Sequence, residues 1–290
     1  SAEVGINTLS RSDGDIAIFT DSGITLFDKS PRTVSFQETP LLANGATGSA
    51  VFADGVPIAG AQHSLSIQTG RIAGLMAVRD DVVPVYQKQL DETARGLIAA
   101  FAETDQSAVP VLPAAAGLFT YPGGPSVPAA GTVVPGLAMT IQVNKNVVQS
   151  SGGNPLLIRD GGISAPGNPA YTYNASGSTS FTDRIEELAD AMTATQSFDA
   201  STQLTTNASV GKLAGDSIAW LADIRKSTQS ESDYRSVVKD RALSSLTKTS
   251  GVSLDEEMAN MLELERTFQA TARLISAVDT MLESLMSSVR

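Results

Sequence analysis

The residues that could do chemistry in this chain are few. Ser245-Leu246-Thr247-Lys248 has the SxxK spacing of a serine nucleophile with a lysine base, and Lys248-Thr249-Ser250 echoes a KTG element. In penicillin-binding enzymes the first of these opens a helix and the second lies far away on a strand. Here they overlap at the end of one predicted helix, so the pattern reads as coincidence. A calcium loop needs several carboxylates at alternating positions. Arg159-Asp160-Gly161-Gly162 supplies one and reads as a turn. The carboxylates of Glu186-Glu187 and Asp255-Glu256-Glu257 are adjacent in sequence and diverge around a helix, so they suit helix starts and not paired acid–base work. His63 is the single histidine and there is no cysteine. That removes thiolate sites, disulfides, HExxH zinc sites and any centre needing two imidazoles. His63 reads as a lone polar residue in a short strand, and Asn174-Ala175-Ser176 is a glycosylation sequon that matters only in a eukaryotic secretory protein. GxGxxG, GxxxxGK[ST] and GxSxG are all missing. No catalytic, cofactor-binding or metal-binding set is expected.

The elements that would position a site must therefore carry the function. The 290 residues are 42% hydrophobic and 18% charged, enough for a folded core, and the net charge is −11. Such an acidic chain is not expected to bind nucleic acid or an anionic membrane, since little here would neutralise a row of phosphates. No apolar run approaches the ~18 residues of a membrane span. The first residues, Ser1-Ala2-Glu3-Val4, show neither a signal peptide nor an initiator Met, so trimming of the N-terminus is expected.

Nine of the 13 prolines lie between Pro110 and Pro169, and none follows. Because proline breaks helix interiors, long helices belong to the last 120 or so residues and not to the middle. Residues 1–70 read as β-rich, with hairpins at Asp15–Phe27 around Asp21-Ser22-Gly23 and at Val51–Ile58 around Asp54-Gly55. A long helix is expected over 71–106, with Ile72, Met76, Val83, Tyr86, Leu90, Ala94, Leu97 and Phe101 on its buried stripe. Pro84 should kink it or divide it in two. At 1.5 Å per residue such a helix is ~50 Å long, which suggests a rod. Residues 107–179 read as a loop- and strand-rich insertion, including a strand at Leu137–Val143. A helix then starts at Ser180, carrying Phe181, Ile185, Leu188 and Met192 on one face.

The C-terminal helical domain, 180–290, ends in the most regular pattern of the chain. After a helix over about 207–249, Ser253-Leu254-Asp255-Glu256 forms a capping box. Leu254, Met261, Phe268, Ile275, Leu282 and Val289 then recur every seventh residue, with Met258, Leu264, Ala272, Val278, Leu285 and Met286 as companions. Five heptads predict a coiled-coil seam over 253–289. Burying each large apolar member is worth roughly 1.5–3 kcal/mol, so the helix needs a partner, either the preceding helices or another chain. The fold class expected is α+β and elongated, long α-helices in a bundle or coiled coil with separate β-rich parts.

The stretch Ser250–Glu257, followed by Leu262-Glu263-Leu264-Glu265-Arg266-Thr267-Phe268-Gln269-Ala270 and Asp279-Thr280-Met281-Leu282, resembles the C-terminus of bacterial flagellar axial proteins. Two further stretches, Gly70–Leu75 with Arg79-Asp80 and Gln89-Leu90-Asp91, and Asn154–Gly162, are similar to the flagellar hook-associated protein 1 family. The resemblance implies a non-enzymatic subunit of the junction between hook and filament. In that family terminal helices form the inner tube and inserted β domains face outward. It also implies export through the flagellar type III channel without a cleaved signal peptide, to an extracellular place in the flagellum. The implied partners are further copies in a ring, hook protein, a filament-side junction protein or flagellin, and an export chaperone. No cofactor is implied. Leu254, Met258, Met261, Phe268, Ile275, Leu282 and Leu285 would form the subunit and chaperone interface. The family begins with a helical region whereas this chain begins in β structure, so it is expected to be a C-terminal portion. Rival readings are a hook or distal-rod protein, an adhesin with a coiled-coil stalk, and a hydrolase using Ser245 and Lys248.

Overall fold

The computed structural model of the chain describes residues 2–39, 46, 48–60, 65–250 and 254–288, and the fold is α+β. Its contacts divide it into two units, Ser1–Asp223 and Ile224–Arg290.

The first unit opens with strands β1 (Ile6–Ser10), β2 (Ile16–Thr20), β3 (Thr25–Asp28) and β4 (Ser30–Pro31), an antiparallel sheet in chain order. Strands β5 (Val34–Phe36), β6 (Val51–Ala53) and β7 (Val56–Ala59) make a second sheet. Both expected hairpins are present. Phe19 pairs with Thr25 across the first turn, and Ala53 pairs with Val56 around Asp54-Gly55. Val51, Ala53, Ile58, Ala59 and Ile67 form a small core there. Of the strand expected over 62–67 around His63, residues 62–64 lie outside the described residues, and Leu65, Ser66 and Ile67 form no strand.

The helix expected to kink or divide at Pro84 is a continuous helical run. It passes from α1 (Arg71–Ala77) through a π-turn at Val78–Val82 into α2 (Val83–Ala100). Pro84 stands at the start of α2, and the widened turn before it takes up the missing N–H and the ring. Arg79, in the π-turn, donates to Ser49 O and Gly60 O and pairs with Asp80, tying this turn to the strands.

Beyond α2 the chain forms β8 (Phe119–Thr120), α3 (Leu137–Thr140), β9 (Gln142–Val143), α4 (Leu157–Asp160), α5 (Asp183–Thr193), β10 (Gln196–Ser197) and β11 (Asn207–Ala208). β8 pairs with β9 and β10 with β11. The expected strand at Leu137–Val143 is therefore corrected: four of its residues are one helical turn, and only Gln142-Val143 is extended. The Asp91 carboxylate accepts the N–H groups of Gly136 and Ala138, and Gly136 is left-handed, which winds the backbone into a turn. Leu137 is buried and Met139 is not. Helix α5 starts later than expected, with Thr182 and not Ser180 at its cap, and it buries Arg184 and Leu188 while Ile185 is exposed. Two longer helices complete the chain, α6 (Val210–Ser250) and α7 (Leu254–Ser288). Gly211 and Gly215 lie inside α6 without interrupting it.

Candidate assembly surface

The predicted interface residues stand on α7. Among its described side chains every one is exposed. Met258, Met261, Ile275, Leu282 and Leu285 are all more than half exposed, and Phe268 is 75% exposed. The 3.6-residue period brings them to one side of the helix, as the heptads require. Leu254 opens the helix, but its side chain, that of Glu256, and residues 253 and 289 lie outside the described residues. The capping box and the last heptad position are therefore undescribed. In α6 the described residues from Arg225 onward are likewise exposed, including Ser245 and Lys248.

The residues that build the first unit are of the opposite kind. On α2 the buried side chains include Gln89, Asp91, Glu92 and Arg95, beside Ala94 and Ile98. Of the expected stripe only Ala94 is fully hidden; Val83 and Leu90 are exposed and the other five are half-buried. Each polar group holds another part of the chain. Glu92 pairs with Arg95 at 2.9 Å and accepts the N–H of Asp199. Arg95 donates to Ser197 O at 2.7 Å, and its guanidinium lies 5.1 Å from the Phe198 ring centre. Gln89 donates to Thr202 O and accepts from the Ser217 hydroxyl, linking α2 to the start of α6. Just past the helix, buried Glu103 accepts from Ile163 N, Ser164 N and Ser164 Oγ.

Such staples include a few of the residues that carried the family resemblance outside α7. Gln89 and Asp91 are two of them. In the second stretch, Arg159 clasps Asp160 at 2.7 Å, and Asp160 also accepts from Asn174 Nδ2. The Arg159 guanidinium, followed by Asn174, holds the Asp160 carboxyl below its ordinary range. Gly161, with φ +84, lies where a Cβ would meet Tyr171 O. Neither stretch forms a pocket of converging reactive groups. Among the described residues there is no cluster of three or more His, Asp or Glu that could hold a metal, and no helix long and apolar enough to cross a membrane.

Residues 1–112 match the flagellar hook-associated protein FlgK helical domain, and residues 244–288 match the flagellar basal body rod FlgEFG protein C-terminal region. The two matches together support a FlgK-like flagellar hook-associated protein. The families matched are structural components of the bacterial flagellum, which supports a structural role in the flagellar axis and implies assembly with other axial components. The first match covers strands β1–β7 as well as α1 and α2; the second covers the end of α6 and the heptads of α7. Residues 154–162 fall outside both. No curated protein and no solved structure is significantly similar to the chain.

Proposed function

We propose that this hook-associated protein is the junction subunit that joins hook to filament, and that it has no enzymatic activity. The observation that carries the reading is α7. A 35-residue helix inside a matched axial-protein region presents an apolar heptad stripe to solvent. Large exposed apolar faces mark interaction sites. Leu254, Met258, Met261, Phe268, Ile275, Leu282 and Leu285 pack against neighbouring subunits in the assembled axis, and an export chaperone covers them beforehand. The partners are further copies in a ring, hook protein, and the filament-side junction protein or flagellin. The protein leaves through the flagellar export channel without a cleaved signal and works outside the cell. In the assembly residues 1–70 face outward, and the helix over 71–106 belongs to the rod.

The test is made in the source bacterium, by deleting 253–290 from the chromosomal copy. Intact hooks without filaments, with flagellin lost to the medium, are the expected result. Missing hooks would place the protein earlier in the axis, as a rod or hook subunit, which the rod-protein match at 244–288 makes the natural second reading. Normal flagella would overturn both. The single change Phe268→Asp is expected to abolish incorporation while leaving the β regions folded.

A further inference from the structure

From residue 106 to residue 144 the chain has no charged side chain, although the whole carries −11. Two features of the first unit use this tract. One is a shaped projection. The Asp105 carboxylate accepts the N–H groups of Ser107, Val111 and Leu112. The Tyr171 hydroxyl donates to Pro113 O at the far end. Pro110 and Pro113 restrict the backbone further. The loop so held presents Val109 and Val111 to solvent, 74% and 79% exposed. The other feature is a cavity of about 450 Å³ walled by Ala99, Val127, Pro128, Ala130, Ala191 and Ala194, with Arg95 and Gln196 at its polar side. Gln196 donates to Gly96 O, while its Oε1 is buried with no hydrogen-bond partner among the described residues.

We infer that the 107–112 loop of one copy inserts into the Val127–Ala130 cavity of the next copy, a head-to-tail contact that runs around the assembly. The inference rests on the reading of the protein as a self-assembling axial subunit and names a surface for it apart from α7. A second copy is the occupant because of charge. Two chains at −11 repel over most of their surfaces, and they approach at least cost where no acidic side chain of one faces the other. The projection and the Val127–Ala130 wall both belong to the uncharged tract. The cavity falls in the size range of specific pockets and offers a largely apolar wall. The loop is already ordered, so little conformational entropy is lost on docking. Because knob and hole are different surfaces, the contact is heterologous and generates rings or helices and not closed dimers.

The chain has no cysteine, which makes the test direct. Val109→Cys and Ala130→Cys are made in separate full-length chains, both at exposed positions, and each is checked for native circular dichroism. They are mixed at high concentration and treated with a short bis-maleimide. A crosslinked dimer at least roughly tenfold above that of either chain alone is expected, with a further Val111→Asp in the first chain reducing it roughly tenfold, the scale on which losing one buried valine acts. The yield should not fall from low to high salt, since no ion pair is involved and salt screens the repulsion between the two acidic chains. No dimer from the mixture, or as much from Val109→Cys alone, would overturn the contact. The crosslink is also expected when both chains carry Phe268→Asp, and its loss there would show that α7 and not the tract brings copies together. Failure of the crosslink alongside bald hooks in the α7 deletion would sink this contact and leave the junction reading standing. A crosslink alongside normal flagella would do the reverse.

Discussion

In α2 the hidden side chains include amide and charged ones, while in α7 the side chains facing solvent include the apolar stripe. Gln89, Asp91, Glu92 and Arg95 are buried because each meets a partner brought from elsewhere in the first unit: Ser217, the Gly136 turn, Asp199, Ser197. Burying a polar group is costly unless it is hydrogen-bonded, so these residues are stable only with those partners in place. The stripe of α7 carries the complementary message. Its apolar residues are exposed, so they add little to the folding of the chain itself. Helix α2 is a fastener within the molecule, and α7 is the surface proposed above to fasten copies to one another.

The comparison breaks most readily at Glu92. Glu92→Ala leaves Arg95 buried without its carboxylate and frees the Asp199 N–H, and should cost about 3–5 kcal/mol. Urea unfolding followed by the fluorescence of Trp220, the single tryptophan, measures this in the first unit. A loss below about 1 kcal/mol would mean that α2 is held by its apolar contacts after all. Asp91→Asn should cost less, about 1–3 kcal/mol, because an amide oxygen can still accept one of the N–H groups at Gly136 and Ala138. Circular dichroism melts of the two variants should rank them in that order. At Phe268 the same measurement should show almost nothing. Phe268→Asp is expected to move the unfolding midpoint of the first unit by less than the equivalent of about 0.5 kcal/mol, the usual range for an exposed site. A large shift would show that α7 stabilises the fold, and the contrast with α2 would collapse.

The smallest effect concerns pH. Asp105 is held well below the ordinary carboxylate range by hydrogen bonds from the Ser107 side chain and from the N–H groups of Leu112, Ser107 and Val111. Asp160 is lowered by Arg159, and Asp199 by Ser201. A carboxyl whose folded value is depressed adds stability that is present above its unfolded value, ~3.9 for aspartate, and is lost as pH falls through the folded value. The unfolding temperature should therefore stay level with respect to these groups from pH 7 to about 5 and decline only below about 4. A decline beginning near pH 6 would contradict the staples as described.

Much of this was legible before any coordinates. The Asp54-Gly55 and Asp21-Ser22-Gly23 turns marked their hairpins because few other residues suit such tight reversals. The heptads of α7 were legible because a sevenfold apolar repeat is a local property of the helix. At α2, counting apolar residues selected Val83 and Leu90, which are exposed, and passed over Arg95, which is 1% exposed. Periodicity assumes that hidden means apolar, and that assumption fails wherever a distant segment supplies a polar partner. The spacing Gln89, Glu92, Gly96 marks one helical face and was the available signal, but only the positions of Ser197 and Ser217 turn it into a buried one. Leu137–Val143 alternated like a strand, and the Asp91 carboxylate wound its first half into a turn.

By itself the sequence determined the turns, the absence of cysteine chemistry, the restriction of long helices by proline, and the apolar seam of α7, each set by residues within a few positions of one another. The tertiary structure decided which face of α2 is hidden, where Glu103 and Arg184 are buried, and how the 107–112 loop is shaped. Those outcomes depend on hydrogen bonds between groups up to 128 residues apart, as between Gln89 and Ser217. A buried polar side chain is stable only once the fold has delivered its partner, so no local pattern can announce it.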